Sequence, residues 1–186
     1  MPSAYDEARA SDAVTSMSVR YAWARPWHEQ WWLALWSSNQ VARCYAGRTD
    51  GPGEANGWGA LVREACIALC HVRDWLEHDT AVPLTRGQLR TIVRRSRCLQ
   101  LVTDVANTSK HHTRQGNQTT ARIEQITING VRGEPQQGIV SIAWRSVDGR
   151  SGQEDALDLI RGAVADWRGV FITHGIPDPY PTGVSA

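Results

Sequence analysis

The chain has 186 residues, a length that suits a single domain with a sizeable buried core. Its formal net charge of +1 excludes a global field that attracts nucleic acid or membranes, so recognition of a polyanion requires a local basic patch. The sequence contains no apolar run of about 18 residues, and its acidic, polar N-terminal stretch is unlike an export signal, so we expect a cytoplasmic protein without membrane contact.

The pattern of turn and apolar residues predicts one domain between two irregular ends. We expect a mobile N-terminal arm over 1–19, a single helical-bundle domain over 20–176 and an extended tail over 177–186. Pro26 is suited to the first helical position and Gly47 to the position after a helix, while Thr85 is a suitable N-cap. Three helical stretches are predicted in this half, over 25–47, 58–78 and 86–109, and the third can be one long helix or two.

The apolar pattern changes after the third helical stretch. Residues 121–130 and 138–149 alternate between apolar and polar side chains, which predicts a β-hairpin over about 121–147. An apolar stripe then predicts a last helix over 154–174, which Gly175 ends. The predicted fold class is therefore mainly α, a helical bundle of four to five helices with a β-hairpin inserted before the last helix.

Tryptophan and cysteine give two further expectations. Five of the nine tryptophans lie in the region from Trp23 to Trp36, which is too many for one core-facing stripe, so this first helix is a candidate surface for a protein partner. The four cysteines match no compact zinc pattern, and we expect them to be buried, reduced and inert.

Polar stripes follow two of the predicted helices. On the third helical stretch, Asp104, Asn107 and His111 share one side at i, i+3 and i+7. On the second helix, His71, Asp74 and His78 lie together, on the side away from the apolar arc. Each stripe is explained by a solvated helix face, but two stripes that faced each other would form one polar pocket.

Three chemistries could use such a pocket, of which nucleophilic catalysis by Cys70 and His71 is discounted because adjacent helical residues do not face each other. A histidine can move a proton from a ribose 2′-OH while a cation holds the phosphate, and the stretch DVANTSKHHTR offers Lys110 and His111 for this. Metal binding is a minor alternative, because di-metal bundles use Glu-x-x-His pairs and neither helix has one, so we expect no cofactor. Its candidate ligands are His71, Asp74, His78, Asp104 and His111.

The third helical stretch also carries a basic ridge. Arg86, Arg90 and Arg94 recur at i+4, and Arg97 lies close to them. Arginine pairs with phosphate in two-point geometry, so these four residues are the predicted RNA-binding set. A solvated face with salt bridges is the alternative explanation of the ridge.

Three stretches of this sequence, in this order, resemble a known family. CHVRDWLEH (70–78), LQLVTDVANTSKHH (99–112) and ALDLIRGAVADWRGVFITHGI (156–176) are similar to small HEPN-like bacterial helical-bundle proteins with an Asp-x-x-Asn-x-x-Lys-His signature. The resemblance implies a helical bundle that forms a homodimer and, in active branches, metal-independent RNA cleavage in toxin–antitoxin or antiphage defence systems. Those branches carry an arginine followed four to six residues later by a histidine, which Arg73 and His78 match, as do Arg168 and His174.

The resemblance assigns roles to the polar residues. His78 or His111 would act as the acid–base, while Arg73 and Lys110 would stabilise the phosphate in the transition state. Asp104 and Asn107 would orient the imidazole. A spacing of five places Arg73 and His78 about 140° apart on a regular helix, so they would converge only at a distorted helix end or across a dimer. The alternative function is a non-enzymatic interaction module that uses the Trp23–Trp36 region.

Overall fold

The computed structural model describes residues 25–48, 55–108, 119–129 and 137–182. This part of the chain is mainly helical, as predicted, with a small antiparallel sheet before the last helix. The predicted arm over 1–19 lies outside the described residues. In chain order the elements are α1 (Pro26–Tyr45), α2 (Ala55–His78), α3 (Arg86–Arg95), α4 (Arg97–Thr108), β1 (Thr120–Asn129), β2 (Gln137–Arg145), β3 (Ser151–Asp155) and α5 (Ala156–Thr173).

Local signals explain where the helices begin and end. Pro26 occupies the first turn of α1, and Gly47 follows that helix with a φ of 63°, a conformation that glycine adopts without strain. Thr85 and Gln88 form a reciprocal capping box at the start of α3. Asp155 caps α5, because its side chain accepts hydrogen bonds from the first backbone N–H groups of that helix.

The third helical stretch is two helices, which answers the question that the sequence leaves open. Ser96 lies between α3 and α4 with an extended backbone (φ −87°, ψ 121°). Its hydroxyl accepts a hydrogen bond from the backbone N–H of Leu99 at 3.0 Å and donates one to Asp166 of α5. One serine thus ends α3, begins α4 and ties the junction to the last helix.

The sheet is larger than the predicted hairpin. Strands β1 and β2 form that hairpin, with Ile123 opposite Ile142, and β3 adds a third antiparallel strand beside β2. The prediction placed residues 154 and 155 in the last helix, whereas they end β3 and the helix begins at Ala156. The segment SGQED has no apolar residue, so its strand conformation depends on pairing with β2 and not on local pattern.

Large aromatic side chains from the helices fill the core. Trp27 and Trp31 of α1 are fully buried against Phe171, and Trp167 of α5 donates its Nε1–H to the Leu69 carbonyl at 3.1 Å. Two tryptophans of the predicted partner-binding region are therefore core residues, which leaves Trp32 and Trp36, whose rings stack 6.1 Å apart and are partly exposed. Trp23 lies outside the described residues.

Three of the four cysteines are buried, and none of the four forms a disulfide bond. Burial and the neighbouring Cys70 raise the pKa of the Cys66 thiol to about 12, which keeps it protonated and unreactive. Cys98 is partly buried. Among the described residues, no helix combines the length and apolar character needed to cross a bilayer.

Candidate functional site

A cavity of about 540 Å³ lies between α2, α3, α4 and the start of β1. Its charged residues are Arg73 of α2, Arg90 and Arg94 of α3, and Asp104 of α4, with Asn107 one helical turn beyond Asp104. We call this cavity the arginine pocket. The other lining residues are mostly polar: Val93, Gln100, Thr103, Thr119 and Val147.

Helical periodicity places the two arginines of α3 at the pocket. Leu89 and Val93 are the buried residues of α3, and they face the core four positions apart. Arg90 and Arg94 each follow one of these residues, so they stack on a neighbouring side of the helix at i and i+4. The packing of Leu89 and Val93 into the core therefore determines the side of α3 on which Arg90 and Arg94 lie.

Arg73 is held in place by acidic neighbours. Its guanidinium donates to Asp74 Oδ1 at 2.9 Å and 2.5 Å and lies 3.7 Å from Glu77, which also pairs with Arg86 at 3.1 Å. Partial burial disfavours the charge of Arg73, but the hydrogen bond and charge of Asp74 outweigh it and raise the pKa of this arginine. Arg73 is therefore a positioned, fully charged group with part of its charge already balanced.

Arg90 and Arg94 differ from Arg73 in that no acidic residue of the described chain neutralises them. Both side chains are exposed, and neither has an ion-pair partner among the described residues. Like charges at i and i+4 destabilise a helix by roughly 0.2–0.5 kcal/mol, so this arrangement has a small unfavourable contribution to folding. These two arginines are the cations most available to a bound anion.

Helix α4 supplies hydrogen-bonding groups to the same cavity. Asp104 is only 7% exposed, although helical periodicity suggested a solvated side for it. Gln100 lies one turn earlier and donates from Nε2 to the Thr119 hydroxyl at 3.0 Å, which ties α4 to the segment entering β1. The pocket therefore combines guanidinium donors with carboxylate, amide and hydroxyl groups.

The pocket brings together residues from two separate sequence predictions. Arg73, Asp104 and Asn107 come from the predicted catalytic set, and Arg90 and Arg94 come from the predicted RNA-binding set. The other two residues of the RNA-binding set lie elsewhere. Arg86 pairs with Glu77, and Arg97 stacks over the Trp144 ring at 4.5 Å while pairing with Glu154.

The predicted histidines are not part of the described pocket. His78 is exposed, and its ring Nδ1 donates to the Asp74 carbonyl of its own helix at 2.6 Å. Arg73 therefore faces α3 and α4 while His78 lies on the other side of α2, as their spacing of five implies. Lys110 and His111 lie outside the described residues.

The second Arg–His match has a structural explanation. Arg168 donates to Asp178 at 3.3 Å and to the Tyr180 carbonyl at 3.1 Å, which holds the segment after α5 in place. His174 is the residue that follows α5. The Arg168 guanidinium is therefore engaged in hydrogen bonds that anchor the segment after α5.

The metal-binding alternative gains no support from the described residues. Within them, no group of three or more His, Cys, Asp or Glu side chains is arranged to hold a metal ion. Its α2 candidates, His71, Asp74 and His78, do not line the cavity that contains Asp104, and His111 lies outside the described residues.

Some pocket residues were absent from the sequence prediction. Gln100 and Thr103 share the α4 side of Asp104 and Asn107, so helical periodicity could have identified them. Thr119 and Val147 belong to segments flanking the strands, and only the packing of the sheet against the helices brings them to the pocket.

Comparison of the chain with protein-family models, with curated proteins and with solved structures gives no match. The function is therefore argued from the pocket itself. Its defining property is a concentration of positive charge beside a buried carboxylate and neutral hydrogen-bonding groups.

Proposed function

We propose that this protein is a cytoplasmic HEPN-like helical bundle that binds RNA in the arginine pocket and cleaves it without a metal ion, in a bacterial defence or toxin system. The observation that carries the proposal is the convergence of Arg73, Arg90 and Arg94 with Asp104 and Asn107 in one cavity. Three cations in a protein with a net charge of only +1 form the local basic patch that polyanion binding requires.

The arginines account for binding of the phosphate backbone. Arg90 and Arg94 are free to form two-point hydrogen bonds with phosphate oxygens, and such charge-assisted bonds are roughly twice as strong as neutral ones. Arg73 is already oriented by Asp74 and Glu77. A bound phosphate would therefore meet one pre-ordered guanidinium and two exposed ones that have no ion-pair partner among the described residues.

The remaining groups favour RNA over a simple inorganic anion. A carboxylate repels phosphate, so Asp104 is out of place in a site built for phosphate alone. It is suited to the 2′-OH of a nucleotide next to the cleaved one, which donates a hydrogen bond and distinguishes RNA from DNA. Asn107 and Gln100 offer amide donors and acceptors that can reach sugar or base edges.

The catalytic part of the proposal assigns proton transfer to His111. His78 lies outside the arginine pocket, so it could contribute only across a homodimer. In this mechanism His111 removes the 2′-OH proton while that oxygen attacks the adjacent phosphorus, and Asp104 and Asn107 orient its ring. The bond from phosphorus to the 5′-oxygen breaks, the leaving oxygen takes a proton back from the His111 imidazolium, and a 2′,3′-cyclic phosphate remains. Arg73 and Lys110 stabilise the charge that develops on the phosphate.

Binding is tested with a labelled single-stranded RNA and the variant Arg90→Gln/Arg94→Gln, which keeps side-chain polarity and removes two charges. We expect affinity to fall at least about tenfold, and the slope of log affinity against log salt to decrease by about 1.4, because two phosphate contacts are lost. Arg161→Gln is the control, since Arg161 is exposed on α5, away from the pocket. Equal binding by the double variant and the wild type would contradict the proposal.

Cleavage is tested in EDTA with the same RNA and the matched variants His111→Ala and His78→Ala. We expect cleavage by the wild type and by His78→Ala, and loss of cleavage with retained binding in His111→Ala. Cleavage that survives His111→Ala refutes this acid–base assignment. RNA binding without cleavage by the wild type refutes the nuclease step and leaves an RNA-binding protein.

The alternative function is a protein-interaction module on α1. Trp32 and Trp36 stack on each other and are partly exposed, and the neighbouring Leu33 is 39% exposed. Aromatic residues exposed together are typical of protein interfaces. Capture of a partner that Trp32→Ala/Trp36→Ala abolishes, together with no RNA binding, favours this alternative.

A further inference from the structure

Among the described residues that line the arginine pocket, Arg73 is the arginine that pairs with acidic side chains. Its partners, Asp74 and Glu77, do not line the pocket themselves. The Arg73 side chain therefore contacts the cavity on one side and two carboxylates outside the cavity. A phosphate that enters the pocket meets a guanidinium whose charge these carboxylates already share.

The pair with Asp74 uses an edge of the guanidinium that a phosphate would also use. Arg73 Nε donates to Asp74 Oδ1 at 2.9 Å, and Nη2 donates to the same oxygen at 2.5 Å. Nε and Nη2 form one of the edges with which arginine binds phosphate at two points. Phosphate and the Asp74 carboxylate are therefore alternative partners for the same two N–H groups.

The two acids differ in how easily a ligand can displace them. The Asp74 side chain is 43% exposed, and an ion pair at such a surface adds little stability because water and salt compete with it. The Glu77 side chain is only 10% exposed and pairs with Arg86 at 3.1 Å as well as lying 3.7 Å from Arg73. Asp74 is thus the displaceable partner, and Glu77 keeps Arg73 in position.

We propose that Asp74 competes with the RNA phosphate for Arg73 and thereby limits the affinity of the arginine pocket. The inference rests on the proposed function and concerns the regulation of the same site. When a phosphate binds, Nε and Nη2 of Arg73 exchange Asp74 Oδ1 for phosphate oxygens, and the Asp74 carboxylate turns to water. A polyanion that also pairs with Arg90 and Arg94 can drive this exchange, so the competition disfavours weakly charged ligands.

The test is the affinity of Asp74→Asn for a labelled single-stranded RNA at physiological salt. Asparagine keeps the size of the side chain and removes its charge, and Glu77 still holds Arg73 in this variant. We expect the dissociation constant to fall about threefold, as the loss of an exposed competing ion pair predicts. A substitution that only damaged the fold of the pocket would weaken binding, so a gain in affinity separates competition from a structural role.

Glu64→Gln is the control for net charge. Glu64 is also an exposed acid of α2, and it lies about 15 Å from Asp74 along the helix axis. That separation exceeds the Debye length of about 8 Å at physiological salt. We therefore expect Glu64→Gln to bind RNA like the wild type, although it changes the net charge by the same amount.

A double-mutant cycle with Arg73→Gln separates competition from simple repulsion between Asp74 and RNA. Competition requires Arg73, so Asp74→Asn should leave the affinity unchanged when Arg73 is already glutamine. Repulsion through space does not require Arg73, and it would give the same gain in affinity in both backgrounds.

Two results overturn the inference while the proposed function stands. One is an Asp74→Asn variant that binds RNA no more tightly than the wild type, which would mean that phosphate uses another edge of Arg73. The other is a gain in affinity that persists in Arg73→Gln or that Glu64→Gln reproduces, because either would reflect charge alone. Absence of RNA binding by the wild type refutes the proposed function itself, and this inference with it.

Discussion

The arginines that line the pocket differ in how far neighbouring acidic residues already neutralise their charge. Arg73 has Asp74 and Glu77 beside it, so it is ordered and partly neutralised before a ligand arrives. Arg90 and Arg94 have no such acid among the described residues and repel each other at i and i+4. An anion would thus relieve repulsion at one side of the pocket and meet a fixed donor at the other.

A close approach between two residues limits substitution on the sheet. A Cβ atom on Gly138 of β2 would lie 2.6 Å from the ring of Trp58, which is buried. We expect Gly138→Ala to lower the free energy of unfolding by about 1–3 kcal/mol, because the indole must shift within a packed core. Urea denaturation followed by circular dichroism measures the change.

Gly169→Ala is the matched control for this substitution. Gly169 lies inside α5, and a Cβ atom there would meet nothing within 4 Å. Alanine favours a helix over glycine, so this change should stabilise the protein by about 0.5–1 kcal/mol. Similar effects of the two substitutions would mean that the contact with Trp58 has no energetic weight.

At the level of elements, the junction at Ser96 separates the two helices that build the pocket. Helix α3 carries Arg90 and Arg94, and α4 carries Asp104 and Asn107. A continuous helix would place these residues on one axis, with no cleft between them. The extended backbone at Ser96 ends α3 and lets α4 form the opposite wall.

Loss of the Ser96 hydroxyl should weaken this junction. Ser96→Ala leaves the N–H of Leu99 without its acceptor and removes the donor to Asp166, so we expect a loss of about 1–2 kcal/mol in unfolding free energy. Ser96→Thr keeps the hydroxyl and should lose less than half as much. The melting temperatures of the two variants give the comparison, and a wild-type value for Ser96→Ala would rule out a capping role.

At the level of the whole molecule, the segment after α5 connects the two ends of the described chain. Asp178 accepts hydrogen bonds from Trp31 Nε1 at 2.8 Å, from the Tyr180 backbone N–H at 2.8 Å and from Arg168 at 3.3 Å. Trp31 is fully buried in α1. The segment that was predicted as an extended tail is thus anchored to α1 and α5 as far as it is described.

Removal of this carboxylate should destabilise the protein through Trp31. Asp178→Ala leaves a buried indole N–H without an acceptor, so we expect a loss of about 2–3 kcal/mol in unfolding free energy. Asp178→Asn retains an acceptor oxygen and loses only the charge pairing with Arg168, so its loss should stay below about 1 kcal/mol. Equal losses in urea denaturation would assign the effect to charge and not to the buried hydrogen bond.

Local patterns were sufficient to predict most of the elements and part of the pocket. The mainly helical chain, the β1–β2 hairpin and the capping residue Thr85 follow from periodicity and backbone preference, which act within a few residues. An i, i+4 repeat likewise puts Arg90 and Arg94 on one side of a helix, and both line the arginine pocket.

Only the tertiary structure decided which helix sides meet. The sequence left open whether the side of α2 with His71 and His78 faces α4, and packing instead places Arg73 and Asp104 in one cavity and buries that carboxylate. Strand β3 likewise exists through its pairing with β2, since its own residues are polar. The helical period determines which residues share a side of a helix. Which other helix or strand each side packs against depends on the packing of the core over the whole domain, and a short stretch of sequence does not contain that information.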